Sequence, residues 1–274
     1  MRKMALIKFF ILILILHLNA KNLKIVSLTP SVTKQLIVLG MKKDIVGCTS
    51  YGPLAKEKNA TIHIVGGVSN TNIEGILRLK PDIVFANSLT PVRIVEKLKA
   101  LRIKVIIFPY PKSIEEIFSS FLTLGKIVGR KKRAEEIIKV SENKLRKIEK
   151  ISKKFTPKKI FFIIGSKPLY TAPEGTYIND LIEKINCINI ARNLKNGIVS
   201  REFVIERNPD VILIMDMGEI AKEEISYWKK FKSLNAVKNK KIFIIDADRL
   251  GSPVLPDFIN LIEEIMKLVH ENKK

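Results

Sequence analysis

Two glutamates, Glu74 and Glu202, stand at matching points of two weakly similar segments of the chain. Each lies the same distance before a Pro-Asp pair, Pro81-Asp82 in the first segment and Pro209-Asp210 in the second. A carboxylate at such a point can stabilise the positive N-terminal end of its own helix or form ion pairs with a cationic partner. The repeat therefore predicts a pair of equivalent surface acids.

Each segment reads as a helix, a turn and a buried strand. Apolar residues at helical spacing run up to the proline, which disfavours helix in the residue before it. An uncharged run then follows, at 83–86 in the first copy and at 211–214 in the second. Such runs are typical of strands that are covered on both faces. Two copies predict two related α/β lobes. The alternative is chance similarity, because Pro-Asp pairs before strands are common in α/β proteins.

Strands and helices alternate through the rest of the chain, as expected for parallel sheets. Further strands are predicted at 23–28, 45–48, 105–108, 159–164 and 242–246, and helices at 32–39, 177–185 and 256–270, with Thr29-Pro30-Ser31 as a turn. No Walker glycine loop and no Gly-x-Gly-x-x-Gly motif follows any of these strands. Nucleotide cofactors therefore have no phosphate cradle.

A long amphipathic segment connects the two halves. Its apolar residues are spaced for one stripe among lysines and glutamates: Ala134, Ile137, Ile138, Leu145, Ile148 and Ile151. No proline or glycine interrupts residues 130–154, which predicts roughly 35 Å of rigid continuous helix. The predicted organisation is a signal peptide at 1–20, an N-terminal lobe at 21–128, a connecting helix at 129–154 and a C-terminal lobe at 155–274.

The N-terminus predicts secretion. Residues 1–8 form a basic lead, Phe9–Leu16 is an unbroken apolar run, and Leu18-Asn19-Ala20 offers a small residue for cleavage. The apolar run is shorter than the about 20 residues of a membrane span, although an uncleaved anchor is the alternative. No cysteine lies near the junction, so a lipid-modified cysteine is not expected. We expect the mature protein outside the inner membrane, most simply in a periplasm.

The net charge is +22, and +19 without Arg2, Lys3 and Lys8 of the signal. Such an excess could serve a polyanion or an anionic membrane. The lysines are, however, scattered among glutamates without interleaved aromatic residues, and no nucleic-acid motif is present, which favours a compositional bias over a nucleic-acid partner. We expect a monomer. The two cysteines, Cys48 and Cys187, are expected to be free, buried thiols, and with three dispersed histidines they form no metal framework.

An enzyme is the competing interpretation. Asp246 and Asp248 follow an apolar strand and Glu174 lies in a loop, so a carboxylate pair for acid-base chemistry is conceivable. No nucleophile-base constellation accompanies them, and capping of a loop explains the two aspartates. A surface adhesion domain would need repeats or exposed aromatic patches, which are not evident.

A series of short motifs then follows in a specific order along nearly the whole mature chain. They are Ile25–Thr33, Leu39-Gly40, Val46-Gly47 before Tyr51, Val65–Gly67, Ile73-Glu74, Leu79–Asp82, Tyr170–Ile182, Asn189–Ala191, Ser200–Glu202, Asn208–Asp210 and Trp228 ahead of Leu234. Because the motifs occur in this order, the chain resembles the cobalamin, haem and iron-siderophore binding proteins of ABC importers. This group has a helical backbone between two lobes. The cobalamin-binding subgroup is the most similar.

This resemblance implies an extracytoplasmic receptor without chemistry or cofactor of its own. Such a receptor holds a metal chelate in a cleft between its lobes and delivers it to a permease dimer with an ATPase. The residues of this chain in the corresponding loops are Pro30, Ser31, Tyr51, Gly66, Gly67, Asn87, Tyr110, Tyr170, Pro173, Tyr177, Met215 and Gly251. Tyr51 and Tyr170 are the best candidates, because a tyrosine flanked by small residues after a strand has little to do in a core. In the family, one glutamate on each lobe pairs with permease arginines, and Glu74 and Glu202 match those positions.

Several ligands stay open within this group. Cobalamin or a related corrinoid is favoured, and haem, a ferric siderophore and a small oxyanion are alternatives; for haem, Tyr51 or Tyr170 could bind the iron as phenolate. Asn186-Cys187-Ile188 replaces the glycines that usually precede the Asn-Ile-Ala stretch, and the arginine that commonly follows Pro253 is missing. Trp228 is expected at a helix start near or beneath the cleft.

The connecting helix limits the motion that a ligand can cause. We expect lobe rotations of only a few degrees on binding, not a wide hinge closure. Small-angle X-ray scattering with and without ligand measures this directly, and a marked drop in the radius of gyration on binding would contradict it.

Overall fold

In the computed structural model, the described residues are 23–57, 61–67 and 70–271. The predicted signal peptide at 1–20 therefore lies outside the described residues. The chain divides into two compact units. Of the described residues, unit 1 contains those within 23–33 and 40–108, and unit 2 contains 34–39 and 109–271.

Unit 1 is built on a five-stranded parallel sheet with the strand order β3-β2-β1-β4-β5. The strands are β1 (Ile25–Ser27), β2 (Ile45–Cys48), β3 (His63–Ile64), β4 (Ile83–Asn87) and β5 (Val105–Phe108). The helices of this part of the chain are α1 (Pro30–Val38), α2 (Ile73–Leu79) and α3 (Val92–Ala100), with short 3-10 helices at Lys42–Asp44 and Pro53–Lys56. The central strand β1 is fully buried, as expected between layers of helices.

Unit 2 has a four-stranded parallel sheet with the order β11-β10-β6-β9 and a separate antiparallel hairpin, β7-β8. Its strands are β6 (Lys158–Ile163), β7 (Gly165–Ser166), β8 (Leu169–Tyr170), β9 (Cys187–Asn189), β10 (Val211–Met215) and β11 (Ile242–Ile245). Its helices are α4 (Ile114–Ile127), α5 (Lys131–Ser152), α6 (Tyr177–Lys184), α7 (Arg201–Arg207), α8 (Glu219–Trp228), α9 (Asn235–Lys238), α10 (Ala247–Gly251) and α11 (Asp257–His270).

The internal repeat is present in the structure. Helices α2 and α7 have seven residues each and precede five-residue strands, β4 and β10. Asn72 and Ser200 cap the two N-termini, because their side chains accept hydrogen bonds from backbone amides of the first turn. Lys80 and Asn208 end the two helices in the left-handed conformation.

The Pro-Asp pair has the same role in both copies. The carboxylate of Asp82 accepts a 2.9 Å hydrogen bond from the amide of Lys24, which precedes β1. The carboxylate of Asp210 accepts a 2.9 Å bond from the amide of Lys159 in β6. Each aspartate directly precedes its own strand, β4 or β10, and thus ties the start of that strand to the strand that pairs beside it, β1 or β6. The two copies therefore share their helix caps and their aspartate hydrogen bonds.

The connecting helix α5 has 22 residues, which corresponds to about 33 Å. Its buried residues recur at intervals of three or four: Ala134, Ile137, Ser141, Leu145, Ile148 and Ser152. The buried stripe differs from the predicted one at two residues, because Ile138 is only partly buried and Ile151 is exposed. Ser141 and Ser152 occupy buried positions in addition. Small serines permit closer packing of the neighbouring helices than isoleucine would.

Most other predicted elements agree with the structure within two residues, with one instructive difference. The predicted turn at Thr29-Pro30-Ser31 is instead the start of α1, with Pro30 as its first helical residue. Proline suits that position, because the first turn of a helix has no partner for its amides and needs the backbone angle that proline fixes. Cys48 and Cys187 are free and buried, as predicted.

Candidate ligand-binding and docking residues

The predicted ligand residues of unit 1 follow four neighbouring parallel strands. Pro30 and Ser31 follow β1, Tyr51 follows β2, Gly66 and Gly67 follow β3, and Asn87 ends β4. The carboxyl ends of parallel strands share one edge of the sheet, where ligands of open α/β sheets bind. Unit 1 therefore gathers its six predicted residues along one edge.

A polar network holds the middle of this edge. The side-chain Nδ2 of Asn87 donates to the Thr29 hydroxyl across 3.2 Å, and that hydroxyl lies 3.0 Å from the hydroxyl of Ser31. The side-chain oxygen Oδ1 of Asn87 accepts a hydrogen bond from the backbone amide of Leu89 across 3.0 Å. Asn87 and Ser31 thus hold the loops after β1 and β4 together.

Tyr51 is the most exposed tyrosine among the described residues, with 71% of its surface accessible. It lies against the glycine loop after β3, where a Cβ on Gly67 would lie 3.4 Å from the ring. Gly66 has a φ of +97°, and a Cβ there would lie 2.4 Å from the Asn70 carbonyl oxygen. Only glycine fits at Gly66. The loop that supports the ring therefore depends on its two glycines.

Tyr170 lies in the β7-β8 hairpin of unit 2 and is 43% exposed. Its ring rests on the backbone of Gly197, where a Cβ would lie 2.6 Å from the ring carbon Cζ. Of the other predicted residues of unit 2, Pro173 follows the hairpin and Met215 ends β10. Gly197 did not stand out in the sequence, because its partner is distant along the chain.

Tyr110 follows β5 and is 41% exposed. Its hydroxyl lies 2.8 Å from the hydroxyl of Tyr177 and donates to the carbonyl of Gly251 across 3.2 Å. Three of the predicted residues of unit 2, Tyr110, Tyr177 and Gly251, are therefore in direct contact.

Direct ligand contact by Tyr177 does not agree with its burial. Only 3% of Tyr177 is exposed, its ring packs edge-on against Phe258, and its hydroxyl also contacts the Leu250 carbonyl at 2.9 Å. Burial is the main cause that raises the pKa of this phenol far above its usual value. Tyr177 begins an amphipathic helix, α6, whose apolar face is buried. Its side chain orients Tyr110 and belongs to the core.

The two predicted docking glutamates are exposed and lie in the first turns of α2 and α7. Hydrogen bonds from its own backbone amide and from the Ser200 hydroxyl lower the pKa of Glu202. Glu202 is therefore a carboxylate at neutral pH, available for an ion pair at the surface. Capping of its own helix contributes to stability in the same state.

The ion pair between Arg201 and Glu224 was not predicted. Glu224, on α8, is only 3% exposed, and Arg201 donates to both of its oxygens, at 2.9 and 2.6 Å. Burial by itself raises the pKa of Glu224, but the hydrogen bonds from Arg201, Ser166 and Trp228 outweigh burial, so the pKa is lowered. The available sequence signal was a charged residue, Arg201, at the position where the first copy has Ile73.

Trp228 does not begin a helix. It ends α8, it is fully buried, and its indole donates to Glu224 across 3.0 Å. The ring packs edge-on against Phe161 of β6. Trp228 is therefore a core residue of unit 2.

The carboxylates considered for catalysis have structural partners. Asp246 caps α10 by accepting the amides of Asp248 and Arg249 at 2.8 and 2.9 Å. Glu174 forms an ion pair with Arg192 at 3.1 Å. Within residues 23–57, 61–67 and 70–271, no three His, Cys, Asp or Glu side chains cluster to hold a metal.

The periplasmic binding protein family model matches residues 25–249, which include both sheets and the connecting helix. The chain belongs to this family. The ABC transporter substrate-binding lipoprotein YvrC of Bacillus subtilis is 28% identical over 257 residues, which cover 90% of this chain and 80% of YvrC. The vitamin B12-binding protein of Photorhabdus laumondii is 26% identical over 214 residues, 77% of each chain.

A solved structure has the same fold. The crystal structure of a possible iron-binding, periplasmic solute-binding protein from Staphylococcus epidermidis aligns with a TM-score of 0.80 and 28% identity. The alignment covers 90% of this chain and 98% of that chain. The predicted fold, two α/β lobes with a long helical connection, is thereby confirmed.

These relatives are transport proteins that bind substrates, and they give no support to the enzyme alternative. Across the described part of the chain, no helix combines the length and apolarity needed to cross a membrane.

Proposed function

We propose that this chain is the extracytoplasmic substrate-binding protein of an ABC importer and that it captures a metal chelate, with cobalamin or a related corrinoid favoured. The observation that carries the proposal is a set of exposed tyrosines: Tyr51 and Tyr110 follow parallel strands, and Tyr170 lies in the β7-β8 hairpin of unit 2. Membership of a family with vitamin B12-binding relatives supports it.

The chemistry of these edges suits a large, flat and partly apolar ligand. A tyrosine ring offers apolar area on a stiff side chain, and its hydroxyl can bond to polar groups at the rim of a ligand. Tyr51 and Tyr170 rest on glycine backbones, and Tyr110 is held by Tyr177. Rings positioned before binding lose little conformational entropy when the ligand arrives.

Delivery of the chelate to the membrane requires that the protein docks on a permease. We assign docking on the permease to Glu74 and Glu202, because the repeat puts each carboxylate in the first turn of an equivalent capped helix. Two like acids fit a dimeric permease with basic sites on both subunits. The protein would work as a monomer in the periplasm after removal of residues 1–20, with lobes at 21–128 and 155–274.

Haem is the second candidate ligand, and the exposed phenols favour it. The Tyr110 hydroxyl is engaged by Tyr177 and Gly251, so Tyr51 and Tyr170 are better placed to offer a phenolate to iron. Tyr51 and Tyr170 are both among the predicted ligand-binding residues. A ferric siderophore or an oxyanion would use the polar groups of the same edges.

Absorption spectroscopy of the purified protein tests the proposal. Cyanocobalamin or haemin is mixed with the protein, unbound ligand is removed by gel filtration, and the visible spectrum is recorded. We expect one equivalent of cyanocobalamin to co-elute with the protein. Co-elution of haemin alone, with the spectrum of a tyrosinate-bound iron, would favour haem. Retention of neither compound would contradict the corrinoid and the haem assignments.

A further inference from the structure

In unit 2, the hairpin that carries Tyr170 is bonded directly to the segment that leads into the docking helix. The Thr171 amide donates to the Gly197 carbonyl at 2.8 Å, and the Val199 amide donates to the Leu169 carbonyl at 3.1 Å. Between these bonds, Tyr170 and Ile198 pair as antiparallel partners. Val199 directly precedes Ser200, the N-cap of α7.

A second connection runs through side chains. Glu224 accepts hydrogen bonds from the Ser166 hydroxyl of β7 and from the Arg201 guanidinium of α7. Ser166 pairs with Leu169 across the hairpin. One carboxylate on α8 therefore joins the hairpin of Tyr170 to the residue next to Glu202.

The surroundings make this connection stiff. Glu224 is buried, and its remaining bond comes from the buried Trp228. The Arg201 guanidinium stacks over the Tyr227 ring at 3.8 Å from the centroid, and the arginine side chain is 26% exposed. A bidentate arginine-carboxylate pair has a defined geometry, and a partly buried pair is weakly screened by water.

Unit 1 has the backbone connection without the ion pair. The Asn72 amide donates to the Val65 carbonyl at 2.8 Å, and Gly66 pairs with Thr71 just before α2. The residue equivalent to Arg201 is Ile73, which packs against the apolar core of unit 1. The side-chain connection is therefore specific to unit 2.

We propose that Arg201 and Glu224 are positioning residues that lock the Tyr170 hairpin to the Glu202 helix, so that one rigid element carries both a ligand contact and a docking carboxylate. The roles of Tyr170 and Glu202 rest on the proposed function. The lock itself rests on the bonds of unit 2. Because of this lock, a bound chelate that restricts the motion of the hairpin also restricts the motion of the N-terminus of α7.

Hydrogen exchange on the free, full-length protein tests the lock without any ligand. In Arg201→Met, we expect the amides of Thr171, Val199 and Phe203 to exchange about 10- to 100-fold faster, as loss of a charged hydrogen bond implies. The amide of Gly75, which has the equivalent position in α2, should keep its rate. Unchanged rates at Thr171, Val199 and Phe203 would overturn the proposal.

Arg249→Met is the matched control. Arg249 forms bidentate pairs with Asp257 and Glu264, at 3.0 and 2.6 Å, between α10 and α11. Its loss removes an arginine with two carboxylate partners elsewhere in unit 2, although these partners are exposed and Glu224 is buried. The exchange rates of Thr171 and Phe203 should therefore stay as in the wild type. Equal acceleration in both variants would show a general loss of stability and overturn the lock.

A second variant separates positioning from overall stability. In Arg201→Met/Glu224→Gln no charge is left buried without a partner, and glutamine can still accept from Ser166 and Trp228. We expect the melting temperature to recover relative to Arg201→Met while the Phe203 amide still exchanges fast. Recovery of both together would mean that the pair only stabilises the fold, which would overturn the proposal. Failure of cyanocobalamin to bind would contradict the corrinoid assignment without affecting this result.

Discussion

Charge reversal of both docking glutamates, Glu74→Arg with Glu202→Arg, is expected to abolish chelate uptake while the protein stays folded and keeps its ligand affinity. Both side chains are exposed, so the substitutions bury nothing. The arginines would face the basic permease sites with like charge, which costs several kcal/mol at an interface. The measurements are uptake by cells that carry the importer, ligand affinity of the purified variant and its melting temperature.

Helix capping is the competing explanation for these two residues, and neutral variants separate it from docking. If Glu74 and Glu202 only stabilise their helices, Glu→Gln at both should lower the melting temperature modestly and leave uptake intact. The pKa of Glu202 is lowered in the fold, so its contribution to stability is present above the pKa of the unfolded chain and is lost as the pH falls through the folded value.

A matched control for charge is Glu96→Arg with Glu206→Arg. Both residues are exposed, Glu96 on α3 and Glu206 at the far end of α7, so the net charge changes equally. We expect normal uptake from this control. Normal uptake from a stable Glu74→Arg/Glu202→Arg variant would end the docking assignment.

Removal of the two best ligand tyrosines should weaken chelate binding strongly. We expect Tyr51→Ala and Tyr170→Ala each to cost about 1–3 kcal/mol, roughly 5- to 150-fold in Kd, as loss of an aromatic contact at a binding site does. Tyr51 is 71% exposed and Tyr170 is 43% exposed, so neither ring is part of a core and the melting temperature should change little. Calorimetric titration with cyanocobalamin provides the affinity. Val140→Ala, an exposed apolar truncation on α5, should leave affinity unchanged. Unaltered affinity in the double tyrosine variant would remove both residues from the site.

Phenylalanine at the same positions distinguishes the two chelate classes. Tyr51→Phe and Tyr170→Phe keep the ring and remove only the hydroxyl. For a corrinoid, we expect small losses of about 0.5–1.5 kcal/mol, because apolar contact is retained. For haem, loss of the phenolate ligand would change the visible spectrum of the bound iron in one of the two variants.

The fold could be predicted from local patterns. Pro81-Asp82 and Pro209-Asp210 gave the repeat, since each proline ends a helix and each aspartate begins the tie to a neighbouring strand. The uninterrupted spacing of buried residues predicted α5. These features depend on residues that are close in sequence, and a sequence pattern contains information about such residues. Pro30 was assigned to a turn because proline fits both a turn and the first turn of a helix.

The site could be predicted only at the level of loops. Tyr51 and Tyr177 have the same residue type, yet one is exposed and the other is buried against Phe258. Their difference is set by helices that are remote in sequence. Likewise, Glu224 meets Arg201 and Ser166 only after folding, so the sequence marks Arg201 as different from Ile73 but does not identify its partner. Burial of polar side chains is a tertiary property.

The proposed role in import is tested most directly by ATP-dependent uptake of labelled cyanocobalamin into proteoliposomes that contain the partner permease and ATPase. Purified protein and labelled cyanocobalamin are added together on the side that corresponds to the periplasm. In control reactions, only one of the two is added. We expect unmodified cyanocobalamin to accumulate only when the chain, the permease and ATP are all present. Uptake at the same rate without the chain, or chemical conversion of the ligand by the chain, would contradict it.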